Sequence, residues 1–237
     1  MRPLLILQHF EPETPGIFED VLLEQEIPYR KIKLYEGEQI PVSLSPYSGL
    51  LLMGGPMGVH DEDRYPWLVE EDRMLKKALA QGMPIVGVCL GSQLIAKAAG
   101  ARVTKGPRKE IGWYTLQLTS DGIRDPLFLR FPRQFEAFEW HGDIFDLPTG
   151  AVSLASSELY PHQAFRIGSR AYGLLFHLEV TEVMIHQFCS LFSTELQEVK
   201  DYIQEASIRE QLPRRVSDLQ VLAQESFTGF CRLLTDH

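Results

Sequence analysis

Apolar and polar positions alternate along this chain between two kinds of run. Short runs of mostly Leu, Ile and Val fill 4–8, 49–53 and 84–88. Apolar runs this brief read as strands buried on both faces of a sheet. Between them the spacing becomes helical. It predicts one helix over 15–25, with Pro15 in its first turn, and another over 67–81. In the second, Leu68, Met74, Leu75, Ala78 and Leu79 share a face, acidic residues open the helix, Lys76 and Lys77 lie toward its end, and Gly82 stops it. A strand over 30–34 completes the pattern. Strands alternating with helices predict an α/β fold with a mostly parallel central sheet and helices on both faces.

The pattern changes after Gly100. Extended segments over 113–118, 134–140, 151–155, 163–167 and 171–177 are separated by turn signals at Asp121-Gly122, Pro132, Pro148-Thr149-Gly150 and Gly168-Ser169. They predict an antiparallel section joined to the parallel sheet. From Glu182 the spacing is helical, through Met184, Ile185, Phe188, Leu191 and Phe192, and again over 219–234, with Pro213 separating two helices. Without a repeat or a long linker, 1–237 is expected to form a single domain, with a core over about 1–180 and a helical C-terminal extension over about 181–237.

Composition narrows the partners. A net charge of −9 over 237 residues argues against nucleic acid or an anionic membrane surface. No apolar stretch reaches the length of a membrane span, and the opening run is too brief for a signal peptide. Three cysteines, Cys89, Cys189 and Cys231, form no C-x-x-C and leave one unpaired. That combination is expected of a cytoplasmic protein rather than a disulfide scaffold.

The third apolar run ends at a cysteine flanked by glycines two residues before and two after, in Gly87-Val88-Cys89-Leu90-Gly91-Ser92-Gln93. A helix over 94–99 follows, closed by Gly100. Strand, sharp turn and helix with a nucleophile at the apex describe the hydrolase elbow, here with cysteine. Glycines let strand and helix crowd the apex, and the helix N-terminus favours thiolate. A lone cysteine is otherwise most often a buried structural residue, but the flanking glycines favour Cys89 as nucleophile. A second glycine-rich loop, Gly54-Gly55-Pro56-Met57-Gly58, follows the strand over 49–53. It is either a plain turn or a source of backbone N–H groups for a ligand. It lacks the G-x-G-x-x-G of a dinucleotide site.

A thiol nucleophile needs a base and a group to orient it. His177 precedes Glu179 by two positions, on the same side of an extended chain. His141, two positions before Asp143 in Glu139-Trp140-His141-Gly142-Asp143, has the same local logic, and spacing alone leaves both open. His9, His60, His162, His186 and His237 have no equal setting. The run His60-Asp61-Glu62-Asp63-Arg64 and the pair His186 and Cys189 read as solvated loop and helix packing rather than metal sites. No metal and no cofactor are expected.

Taken together, Gly54-Gly55-Pro56, the segment around Cys89, Trp140-His141-Gly142-Asp143 and Gly173-Leu174-Leu175-Phe176-His177-Leu178-Glu179 resemble, in family order, the class I (triad) glutamine amidotransferases, in particular stand-alone proteins similar to the amidotransferase domain of GMP synthetase. The resemblance implies the flavodoxin-like fold of that family, a Cys89–His177–Glu179 triad, and an oxyanion hole from the Gly55 and Leu90 amides. It also implies that Gly54, Gln93, Trp140 and His141 hold the substrate's amino-acid end. Two positions depart from the family, which usually has glutamine and proline at Leu175 and Leu178. Neither side chain is needed for proton transfer. No P-loop and no pyrophosphatase loop of the S-G-G-x-D-S type is present. The expected activity is hydrolysis of glutamine to glutamate and ammonia through a cysteine thioester, with ammonia passing to a separate synthetase partner. The alternatives are a γ-glutamyl peptide hydrolase acting alone, a non-catalytic binding or regulatory protein, and, most remotely, an elbow-bearing cysteine peptidase.

Overall fold

Leu4, Ile6, Leu51, Met53, Val86 and Val88 belong to one hydrophobic cluster, and Leu5, Leu7, Leu50, Leu52 and Ile85 to another. Side chains alternate across a strand, so an unbroken apolar run requires cover on both sides. The computed structural model, which describes residues 1–235, supplies both covers. Strands β1 (Leu4–Gln8), β2 (Tyr29–Lys33), β3 (Gly49–Leu52) and β4 (Ile85–Val88) are parallel. Strands β5 (Val103–Leu118), β6 (Gln134–Phe145), β7 (Val152–Ser156) and β8 (Ala164–Ile167) are antiparallel. Strand β9 (Ala171–Leu174) joins the two sections, parallel to β4 and antiparallel to β8. Among the described residues these make one sheet of order β2-β1-β3-β4-β9-β8-β7-β5-β6.

Helices α1 (Ile17–Glu24), α4 (Glu182–Leu191) and α7 (Leu212–Thr235) share the first cluster, and α2 (Trp67–Ala80) and α3 (Leu90–Ala98) share the second. Two short helices, α5 (Ser193–Glu198) and α6 (Glu205–Arg209), link α4 to α7. The C-terminal helices are thus a layer of the fold. Phe227 of α7 stacks on Phe18 of α1 with ring centroids 4.3 Å apart. Pro213 lies in the first turn of α7, where its missing N–H costs nothing. Asp236 and His237 lie outside the described residues. Among the described residues no helix is long and apolar enough to cross a membrane.

Four boundaries differ from the sequence pattern. Strand β5 begins at Val103 rather than near 113, and β6 runs on to Phe145. Polar residues around Gly106 and Pro107 hide the first half of β5. It pairs with β7 only at Gln117 and Leu118, so most of β5 and β6 is a two-stranded ribbon with an irregularity between Lys105 and Glu110. Consequently His141 and Asp143 sit inside a strand, not in a loop after one. Helix α3 begins directly after Cys89 instead of at 94, and β9 ends at Leu174, leaving His177 in the segment that follows it.

Candidate active site

The carboxyl ends of β1, β3, β4 and β9 deliver the segments that meet at one cavity of about 880 Å³. Cys89 follows β4 directly. Its backbone has φ 48° and ψ −108°, a conformation that L side chains rarely adopt. The turn closes because both neighbouring glycines lack a Cβ. One on Gly87 would lie 2.4 Å from the Gly91 carbonyl carbon, and one on Gly91 would lie 2.3 Å from the Leu52 oxygen. The Cys89 N–H donates to the Leu174 oxygen at 2.8 Å, tying the elbow to β9. Ser92 Oγ donates back to the Cys89 oxygen at 2.6 Å. The sulfur therefore sits at the N-terminus of α3, in a residue only 7% exposed, and donates weakly to the Trp140 oxygen at 3.6 Å.

His177 is held from two sides. Its N–H donates to the Phe138 oxygen at 2.8 Å, and its Nδ1 lies 2.7 Å from Glu179 Oε1. Nε2 is buried and has no hydrogen bond of normal geometry. It nonetheless lies close enough to the thiol that each group alters the other's titration. Burial pushes the imidazolium down, but the Glu179 charge and the contacts with Cys89 and Glu179 outweigh it, leaving His177 well above the usual histidine range. Burial pushes the Cys89 thiol up, while His177 draws it back toward thiolate. Glu179 is itself fixed by its backbone, which accepts the Ile17 N–H at 2.9 Å. The structure brings Cys89, His177 and Glu179 together in that order.

His141 is engaged elsewhere. Its Nε2 lies 3.0 Å from Glu110 Oε2, and its Nδ1 contacts the backbone oxygen of Asp143, not the carboxylate, at 3.2 Å. It lines the cavity with Trp140 and Gln93. Gln93 Nε2 donates to the Asp143 oxygen at 3.2 Å, and Trp140 Nε1 donates to Glu195 Oε2 at 2.9 Å. Gly55 also lines the cavity, packed so closely that a Cβ would lie 2.9 Å from Leu90 Cδ2 and 2.4 Å from Met57 Sδ. Leu90 is the first residue of α3, and Gly54 abuts Glu13. Leu175 and Leu178 are both fully buried, and neither lines the cavity.

Three groups escape sequence reasoning. Glu13, from the loop after β1, enters the cavity with Oε2 buried and without a hydrogen bond. Burial pushes its carboxyl up to about 7, against the pull of His177. His9 is fully buried, with Nδ1 2.8 Å from the Met53 oxygen and Nε2 3.0 Å from Glu71 Oε1. That pair braces the start of the Gly54-Gly55 loop, whereas sequence gave His9 no setting. The third is a buried cluster of Glu110, Glu139 and His141. Nothing in their sequence spacing, which spans 31 positions for the Glu110–His141 contact, signals such a meeting.

Known structures share this fold. The glutamine amidotransferase class-I family matches residues 24–187. YfeJ, a glutamine amidotransferase-like protein of Salmonella typhimurium, is 36% identical over 152 residues, which are 63% of this chain and 64% of YfeJ. A GMP synthase (glutamine-hydrolyzing) of Thermomicrobium roseum is 35% identical over 58% of this chain but only 24% of its own length. The chain therefore spans less than two thirds of these curated relatives. A glutamine amidotransferase structure from Thermotoga maritima superposes with a TM-score of 0.88, at 33% identity and full coverage of both chains. One from Methylobacillus flagellatus gives 0.91 at 30% identity, over 98% of this chain and 95% of the other. With the elbow, the imidazole and the glycine loop already placed at one sheet edge, the chain belongs to the class-I glutamine amidotransferase family.

Proposed function

We propose that this chain hydrolyses the γ-glutamyl amide of glutamine through a thioester on Cys89. One observation carries the reading: His177 commits Nδ1 to Glu179 and keeps Nε2 free of other partners beside a thiol at a strained elbow. The sulfur attacks the side-chain carbonyl carbon, and its proton passes to His177. The Gly55 and Leu90 amides receive the negative charge that develops on oxygen. Collapse of the tetrahedral species breaks the C–N bond as His177 protonates the leaving nitrogen, releasing ammonia. Water, deprotonated by His177, then attacks the thioester and releases glutamate and the thiol. Glu179 orients the ring throughout and is not itself protonated. Gly54, Gln93, Trp140 and His141 surround the substrate's amino-acid end.

A synthetase is the proposed consumer of the ammonia. A second reading, a γ-glutamyl peptide or amine as substrate, is favoured by the reach of the cavity. It extends from Cys89 past Lys105 and Lys109 to Glu195, leaving room for a leaving group larger than ammonia. Steady-state assays of ammonia and glutamate from glutamine, beside glutamate release from γ-glutamyl peptides, separate the two. Absence of turnover with every γ-glutamyl compound, together with an unreactive Cys89, would overturn both.

A further inference from the structure

Behind Trp140, on the ribbon of β5 and β6, three side chains meet on one face. Glu110 stands opposite His141 in the strand register, and Gly112 stands opposite Glu139. All three are buried, with Glu110 and Glu139 completely so. Their candidate ligand atoms lie within 4.8 Å of one another. His141 Nε2 is 3.0 Å from Glu110 Oε2 and 3.4 Å from Glu139 Oε2. Tetrahedral ligands at zinc-type bond lengths of about 2.0–2.2 Å lie roughly 3.3–3.6 Å apart, so the spacing needs little adjustment.

Two further observations point into the same space. The His141 Nδ1 faces the Asp143 backbone oxygen at 3.2 Å, and a carbonyl can only accept. The other ring nitrogen, Nε2, faces both carboxylates, and a backbone oxygen on the far nitrogen is how metal-binding histidines are commonly oriented. Independently, both carboxylate oxygens of Glu139 are buried without any hydrogen bond. Gly112, opposite it, offers no side chain. Glu110 is by contrast well supplied, receiving Ser157 Oγ at 2.7 Å on one oxygen and Gln163 Nε2 at 2.5 Å on the other. Such donors hold a ligating carboxylate in place from outside. Two buried carboxylates that meet on one imidazole nitrogen, one of them without a hydrogen bond on either oxygen, call for positive charge between them.

We propose that Glu110, Glu139 and His141 bind a divalent cation of the zinc class, with a fourth position open to water. Two carboxylates and a neutral imidazole exactly balance a charge of two, and the mixed oxygen and nitrogen donor set suits a borderline cation over calcium or magnesium. The site departs from the expectation of no metal, because its ligands come from distant sequence positions joined only by the register of β5 and β6. It holds the wall that carries Trp140 and does not depend on the thioester chemistry.

The test uses the untagged full chain, stripped with a chelator and titrated with zinc. Bound metal is counted after gel filtration, and cobalt substitution is read by its visible absorption. One equivalent of zinc and a cobalt spectrum with tetrahedral intensity are expected. Glu139→Gln, close to isosteric, should weaken zinc binding at least a hundredfold, and Ser157→Ala, outside the ligand set, about tenfold. His60→Asn, on an exposed loop, should leave binding unchanged. The proposal is overturned if the folded, stripped protein takes up no stoichiometric zinc or cobalt. It is equally overturned if Glu139→Gln, folded by circular dichroism, binds zinc as tightly as the parent.

Discussion

Glu13→Gln should stabilise this protein, and more so the higher the pH. The carboxyl is buried in the cavity with one oxygen unpartnered, and burial lifts it from 4.5 to about 7. A group raised in this way keeps its proton in the folded state while the unfolded chain releases it, so the native state binds more protons between the two values. Stability therefore falls as pH rises from about 4.5, and the penalty is complete only above about 7. A rise of about 2.5 pH units corresponds to roughly 3 kcal/mol, of which less than about 1 kcal/mol is present at pH 5. Glutamine keeps the shape and removes the titration. Urea unfolding of parent and variant at pH 5 and pH 8 should therefore show a stability difference that grows by about 2–3 kcal/mol in the variant's favour. The same charge opposes the thiolate of Cys89. Alkylation of Cys89 by iodoacetamide should accordingly reach its plateau at lower pH in the variant. A stability difference that does not change between the two pH values would refute the reasoning, since it would mean that Glu13 is as charged in the fold as in the unfolded chain.

Cys89→Ser should abolish turnover with little loss of stability, whereas Cys189→Ser should leave the rate nearly unchanged; mass mapping of a glutamine-like electrophile to Cys189 would contradict both. His177→Asn should lower the rate of thioester formation by several orders of magnitude, because base and leaving-group acid are lost together, whereas His141→Asn should act mainly on KM. Single-turnover kinetics with the opposite pattern would exchange their roles. Gly91→Ala would set a Cβ 2.3 Å from the Leu52 oxygen, backbone against backbone. Overpacking of about 1–3 kcal/mol should lower the melting temperature by roughly 2–12 °C, and an unchanged value would show that the elbow is not closed as described.

What the sequence discloses depends on how local the causes are. The elbow is legible because strand, apex and helix are consecutive, and because Gly87 and Gly91 are demanded by contacts within a few residues and with β3. His177 and Glu179, two positions apart, are legible as a pair, but His141 and Asp143 share that spacing, so the family resemblance and not the spacing chose between them. The ribbon of β5 and β6 is not, since Lys105 to Lys109 are polar and interrupted by Gly106 and Pro107, and the pairing of 103–105 with 143–145 and of Glu110 with His141 is decided by the partner strand. Glu71 lies among Glu70 and Asp72 in what reads as a solvated helix face, yet it is fully buried against His9. Glu13 lies in a loop with prolines on either side, the setting of a surface charge. In each case the missing information is a contact made across the fold.

These hidden contacts share a location, and the sheet explains why. The parallel strands β1, β3, β4 and β9 all end at the same edge, so the loops that follow them converge although they come from residues near 10, 55, 90 and 177. Three of them bring buried polar or ionisable groups: His9 and Glu13 after β1, Cys89 after β4, His177 and Glu179 after β9. Unpaired, such groups are costly, and pairing is nearly but not fully achieved. His9 is matched to Glu71 and His177 Nδ1 to Glu179 Oε1, while Glu13 Oε2, His177 Nε2 and Glu179 Oε2 remain without hydrogen bonds. Of these residues, Glu13 and His177 line the cavity. Part of the fold's unsatisfied polarity thus lies at this edge, where the proposed substrate, with its amide, carboxylate and ammonium, would meet it.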